Sequence, residues 1–339
     1  MNIYLENGYL DVDKLLKPKQ FNKIIMVGGR GTGKSYGVLR NLVRQDQKFI
    51  YLRTSVSEMD AMKDPDLDPF NPINRLEDRN IEITKGSIKF VRKIVEGEKN
   101  LGMVGALKNM YQIRGFDGFP YKILFYDEFI GEKHAPKMKN QGTAVKALYE
   151  SINRNRELEG FPPLRLIMCA NSDDLNNDVL ITYDVLDDLL EMGDRGLEVK
   201  DFPDRGLRLI YTCRSPISER KRKTANYKGQ ENSEYNKMAL DNKFTGYYRG
   251  NIDSKDLKNY DPVVSIGDVR IYKCKNDKTY YVTKYMIGNF PEVYQLTDFE
   301  RGRFQRRFWR LYDLYYSKKI KFENAGAEIA FINLWEVKK

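Results

Sequence analysis

One histidine, His134, and three cysteines, Cys169, Cys213 and Cys274, are all that this chain of 339 residues holds of those two residue types. A single imidazole leaves almost no room for a His-ligated metal centre or a Ser-His-Asp triad. The cysteines are widely spaced with no CxxC, which argues against a disulfide framework and a zinc site and fits a reducing cytoplasm. No segment reaches the ~20 apolar residues of a membrane span, and Met1 to Lys17 lacks the apolar centre of a signal peptide. Charge is abundant: 58 Lys and Arg against 48 Asp and Glu, a net +10. A basic balance of this size points to a polyanionic partner, and the length suits one large domain plus a smaller one.

Residues 22–27 (NKIIMV) predict a buried strand, 28–35 (GGRGTGKS) a glycine-rich turn, 36–44 a helix and 48–52 (KFIYL) a second strand. Pro65, Pro69 and Pro72 mark a loop-rich insertion. Residues 81–91 alternate as a strand does, while 122–126 (KILFY) and 165–170 (RLIMCA) are apolar runs of strand length. A helix over 144–156 separates those two runs. Strands alternating with helices predict an α/β fold with a mainly parallel sheet, ending in a strand at 207–212. From Ser215 the chain turns polar and basic, with one short helix at 231–239. Beyond 249 it reads as a small α+β domain: a strand over 263–274, a turn at 275–278, a strand over 279–285, then helix. The expected division is 1–215, a linker segment 216–248, and 249–339.

Gly28-Gly29-Arg30-Gly31-Thr32-Gly33-Lys34-Ser35 fits G-x-x-x-x-G-K-[ST] in full, with Tyr36 directly after it. The glycines let successive N–H groups turn inward around phosphates, and the helix that follows adds its positive end. Lys34 is expected to reach the β/γ-phosphates and the Ser35 hydroxyl to hold Mg²⁺. The run Ile123-Leu124-Phe125-Tyr126-Asp127-Glu128 is a strand that delivers two acids to the same sheet edge. Asp127 is expected to hold the metal, directly or through water, and Glu128 to act as general base on the attacking water. Together the motifs predict an ATP hydrolase of the additional-strand, catalytic-glutamate class. The GTPase alternative lacks its Asn-Lys-x-Asp motif, since Asn236-Lys237 and Asn242-Lys243 have no Asp two places on. The Leu-Ser-Gly-Gly-Gln signature of ABC proteins is also absent.

Other positions stay open at this level. Asn171, after RLIMCA, either orients the water or senses the γ-phosphate, or simply ends a strand. Arg154 and Arg156 either supply an arginine finger or line a solvated helix face. Arg114 and Lys133 are loop cations near the predicted catalytic edge. Arg220 to Lys223 is a basic run, and Arg301 to Lys321 carries eight Lys and Arg against the single acid Asp313. There Phe304, Phe308, Leu311 and Tyr315 fall at helical spacing as a buried stripe. Arg303, Arg306, Arg307 and Arg310 then face phosphates, an acidic partner or only solvent.

The ordered motifs resemble the DNA-packaging ATPases of small tailed bacteriophages of the phi29 type. The likeness runs from Val27 to Tyr36, through Phe49-Ile50-Tyr51-Leu52-Arg53, Tyr126 to Ile130 with Glu132-Lys133, and Arg154-Asn155-Arg156-Glu157. It continues in Ala170-Asn171, Glu219 to Thr224 and Met238 to Phe244, and so covers about residues 20 to 245. The resemblance implies a RecA-like P-loop domain and a small carboxy-terminal domain like a vestigial RNase H-like nuclease; no cluster of metal-binding carboxylates is evident there, and no nuclease activity is expected. It implies ATP and Mg²⁺ as ligands, Lys34, Ser35, Asp127 and Glu128 in the roles above, and Arg154 as a finger reaching into a neighbour's site. It further implies a homo-oligomeric ring, usually of five subunits, driving double-stranded DNA into a preformed capsid at its portal vertex in the host cytoplasm. A packaging RNA is permitted, and no membrane is involved. Two other readings stand beside it: a helicase or translocase of the same ATPase class, and a non-hydrolysing P-loop scaffold.

Overall fold

In a computed structural model the described residues are 2–86, 88–113, 115–132, 136–174, 176–228, 236, 240, 251–253 and 255–335. Arg114, Lys133, His134 and most of the expected helix at 231–239 and the 238–244 motif lie outside them. The chain forms two compact units, Met1–Gly246 and Tyr247–Lys339. Among the described residues no helix is long and apolar enough to cross a membrane.

The first unit is built on nine strands: β1 (Lys23–Gly28), β2 (Lys48–Arg53), β3 (Ile81–Lys85), β4 (Val91–Glu96), β5 (Lys99–Ala106), β6 (Tyr121–Asp127), β7 (Arg165–Asn171), β8 (Val199–Phe202) and β9 (Leu207–Thr212). They form one sheet in the order β3-β4-β5-β2-β6-β7-β1-β9-β8. The six strands from β5 to β9 in that order run parallel. Antiparallel pairings extend both edges. Parallel central strands are covered on both faces, so β1, β2, β6 and β7 are continuous apolar runs rather than alternating ones. β7 is inserted between β1 and β6, the additional-strand order that the paired motifs predicted. Because these six strands run parallel, their carboxyl ends lie on one sheet edge. Gly28, Arg53, Asp127, Asn171 and Thr212 all end strands there.

Several local expectations change. The alternating stretch 81–91 is one short strand and a turn, and its partners β4 and β5 form a hairpin that the sequence reading did not contain. The proline-rich insertion holds two helices, Val56–Ala61 and Asn71–Glu77. The first starts where Ser55 Oγ accepts from the Glu58 N–H at 3.3 Å and Glu58 reaches back to the Thr54 N–H. β9 is the last strand of this sheet in chain order, as expected, and the short β8 that precedes it pairs antiparallel outside it.

The second unit carries β10 (Tyr260–Ile266), β11 (Val269–Cys274), β12 (Tyr280–Thr283), β13 (Glu292–Tyr294) and β14 (Ile320–Phe322), in the order β13-β10-β11-β12-β14. The stretch expected as one strand at 263–274 turns at Gly267, where φ is 52°. The basic helix is two helices, Asp298–Arg307 and Arg310–Tyr316, broken at Phe308. The predicted stripe nevertheless faces inward: Phe304 and Leu311 are buried, and Phe308 and Tyr315 pack on the same core as Ile271, Val282 and Phe331.

Candidate nucleotide site

The loop after β1 turns into the helix Lys34–Arg44 through Gly33, at φ 94° and ψ 10°. That left-handed conformation is nearly free of cost only for glycine. A cleft of about 330 Å³ opens over the loop, lined by residues 30–36 with Asp127, Glu128, Ala170 and Asn171. Tyr36 stands at its helix side and packs against the core beneath.

Lys34 is buried in the loop it belongs to. Its Nζ donates to the carbonyl oxygens of Gly29 at 2.8 Å and Gly28 at 3.2 Å, to Thr32 Oγ1 at 3.3 Å and to Asn171 Oδ1 at 3.3 Å. Burial pushes its pKa down to about 8, while Cys169 and Asp127 act in the opposite sense. The Asn171 contact joins the end of β7 to the loop.

The Ser35 hydroxyl donates to Asp127 Oδ1 at 2.7 Å. Asp127 also accepts from Tyr51 OH at 3.2 Å and from the Glu128 N–H at 3.1 Å. Burial raises its pKa, opposed by the Arg53 guanidinium 3.7 Å away and by Ser35. Glu128 sits at φ 52°, an uncommon conformation for this residue type. That turn carries its carboxylate out of the sheet, 51% exposed, into an ion pair with Arg53. Arg53 is itself only 13% exposed and lies 3.5 Å from Glu58. Arg30 pairs with Glu132 and lies 3.7 Å from Asp173. Burial raises the pKa of Asp173, with Arg30 opposing.

Lys34, Ser35, Asp127, Glu128 and Asn171 are thus brought together. Arg154 is not among them. It follows the helix Gln141–Asn153 and donates to the Phe116 carbonyl at 2.6 Å, ahead of β6. Asp127 is at the other end of that strand, about 20 Å along it. Arg156 is buried and donates to the carbonyls of Gly118, Phe119 and Tyr121 at 2.9, 2.7 and 2.6 Å. It is a structural strut, not a finger.

The sequence matches the family described as podovirus DNA encapsidation protein (Gp16) over residues 6–296. The chain belongs to that family. The DNA packaging proteins of Bacillus phages PZA and phi29 are each 25% identical to it over 285 residues, 80% of this chain and 78% of theirs. Its fold is similar to that in the bacteriophage phi29 genome packaging motor assembly, with TM-score 0.67 and 18% identity over 98% of this chain and 99% of that one. It is also similar to the phi28 gp11 DNA packaging motor, with TM-score 0.62 and 15% identity over 96% and 98%. The function of this encapsidation-family member is accordingly the packaging of phage DNA, and its larger unit supplies the P-loop ATPase fold.

Proposed function

We propose that the chain hydrolyses MgATP in the cleft over residues 28–36 and uses the cycle to drive double-stranded DNA into a preformed capsid. It would do so as a homo-oligomeric ring, of five subunits as the sequence resemblance implies, at the portal vertex in the host cytoplasm. The observation that carries the chemistry is the Ser35–Asp127 hydrogen bond with Glu128 as the next residue. A hydroxyl from the first turn of the helix Lys34–Arg44 and a carboxylate from the end of β6 form the oxygen pair that suits Mg²⁺, which binds through one or two protein groups plus phosphates. When bound, the ion would supply positive charge that offsets the negative charge of the phosphates.

The chain's own groups supply the rest. Lys34 leaves its loop carbonyls for phosphate oxygens, which are stronger acceptors. Glu128, being half exposed, can take a proton from a water in line with the γ-phosphate, while Arg53 fixes where that carboxylate points. Asn171 is within reach of the same phosphate through its contact with Lys34. Arg154, far from its own loop, is a finger for a neighbouring subunit's site. An exposed apolar loop beside it supports that contact, with Leu158 87% exposed and Phe161 46%. We assign residues 1–215 to the ATPase domain, 216–248 to a linker and 249–339 to a small domain of vestigial RNase H-like type. The exposed arginines there admit a packaging RNA.

Steady-state ATP hydrolysis by the purified chain, with and without double-stranded DNA, tests the reading beside Glu128→Gln. Turnover should rise with DNA and fall by roughly 10²–10⁴ in the variant, whose amide cannot accept the proton, while ATP binding persists. Equal turnover in the variant removes Glu128 from its role.

A further inference from the structure

The short helix Pro216–Lys221 ends against the nucleotide loop. Lys221 is half-buried there, and its Nζ donates to the Arg30 carbonyl at 2.6 Å. A Cβ on Gly31 would run into the same ammonium, so Lys221 fills the space that this glycine leaves open. Arg220 anchors the helix by donating to the Asn7 carbonyl at 2.9 Å. Arg30 has Glu132 and Asp173 beside it. No carboxylate among the described residues is paired with Lys221.

Three cations therefore meet on one loop: Lys34, Arg30 and Lys221. Burial lowers the pKa of Lys221, which disfavours its charged form in the empty site. Like charges held close together and half out of water oppose one another unless an anion joins them. A triphosphate entering the cleft would turn that mutual repulsion into attraction.

We propose that Lys221 is a third phosphate-binding cation of the ATP site, acting on the β/γ-phosphates from outside the P-loop motif. It would hold the helix Pro216–Lys221 on the loop while a triphosphate is bound and hold it less firmly on a diphosphate. The chain continues from this helix toward the second unit, so the contact would make that path sensitive to the γ-phosphate. The inference rests on the ATP-binding reading above.

Calorimetric titration with Mg²⁺ and either adenylyl imidodiphosphate or ADP tests it on the full chain, comparing wild type with Lys221→Ala, Lys221→Gln, Lys221→Arg and Lys34→Ala. Loss of one charge-assisted phosphate contact should weaken the triphosphate analogue by roughly tenfold or more. ADP should weaken less, and Lys221→Arg should recover most of the loss. A purely structural strut would leave the ratio of the two affinities at its wild-type value in both neutral variants, and that result overturns the proposal. Lys221→Gln keeps the side-chain length and a donor, so it remains informative if Lys221→Ala folds poorly. Failure of the underlying reading looks different: wild type would bind neither nucleotide, or Lys34→Ala would bind both as wild type does.

Discussion

Arg154 and Arg156 are two residues apart and do opposite things. Arg156 is buried with its guanidinium on three backbone carbonyls and 5.3 Å from the Phe119 ring. Arg154 is exposed, held by the Phe116 carbonyl at 2.6 Å and the Ser151 carbonyl at 3.2 Å, with φ 45° and ψ −129°. Conformations that sparse cost on the order of 1–3 kcal/mol in a non-glycine residue and cluster at functional positions. One arginine fastens the approach to β6; the other is presented outward from the same turn.

Arg156→Ala should therefore be a stability defect. It would leave three carbonyls without their charged donor, a loss of about 3 kcal/mol. For a unit of this size that is a fall of about 6–12 °C in melting temperature. Thermal unfolding followed by circular dichroism should register it, while turnover per folded molecule stays near wild type at a permissive temperature. A variant that melts as wild type does would contradict the buried-strut role.

Arg154→Ala should show the converse. Melting should be little changed, and turnover should drop by about 10³ or more if the side chain stabilises charge in a neighbour's transition state. Mixing makes the geometry decisive. Arg154→Ala subunits keep an intact loop, and Lys34→Ala subunits keep an intact finger, so mixed rings contain some complete sites. Each variant alone should be nearly inactive and the mixture should recover turnover; no recovery at any ratio would mean that Arg154 does not act across a subunit boundary.

The parts that the sequence made legible are those whose chemistry is local. Phosphate binding needs eight consecutive residues, and β6 and β7 are unbroken apolar runs because both of their faces are covered. The β4–β5 hairpin escaped because Lys99–Ala106 carries Gly102 and Gly105, residues that normally mark turns. Gly102 is there because a Cβ would strike the Phe49 backbone of the adjacent β2, a fact of the neighbouring strand. Arg53 and Lys221 were out of reach for the same reason. Arg53 meets Glu128 across a separation of 75 residues and Lys221 meets Arg30 across 191, and no periodicity encodes either. The break at Phe308 is also non-local in origin: the stripe Phe304, Phe308, Leu311, Tyr315 is satisfied by a bent pair of helices as well as by a straight one, and the shape of the core decides between them.

Nucleotide binding should be coupled to a proton above pH 8. Burial holds Lys34 at about 8, with Lys221 pushing in the same direction and Asp127 and Asp173 opposing. Cys169, the other near group, has its thiol pKa driven well up by burial. Below pH 8 the ammonium is already charged, so binding takes up little. Between about 8 and 10 the empty site has released that proton, and the phosphates call it back, with uptake approaching about one proton per nucleotide. Because the nucleotide prefers the protonated site, affinity must fall as pH rises through this window. From the same shift, Lys34 makes the empty protein more stable with rising pH, since the unfolded chain binds the proton more tightly. Calorimetry at pH 9 in buffers of different ionisation enthalpy reads the uptake directly. Lys34→Arg, which cannot release its proton here, should bind nucleotide with clearly less uptake, Lys221 being the other buried ammonium on the loop. Affinity that is flat from pH 7 to 9.5 in the wild type would mean that Lys34 is charged throughout and that its enclosure by the loop costs it nothing.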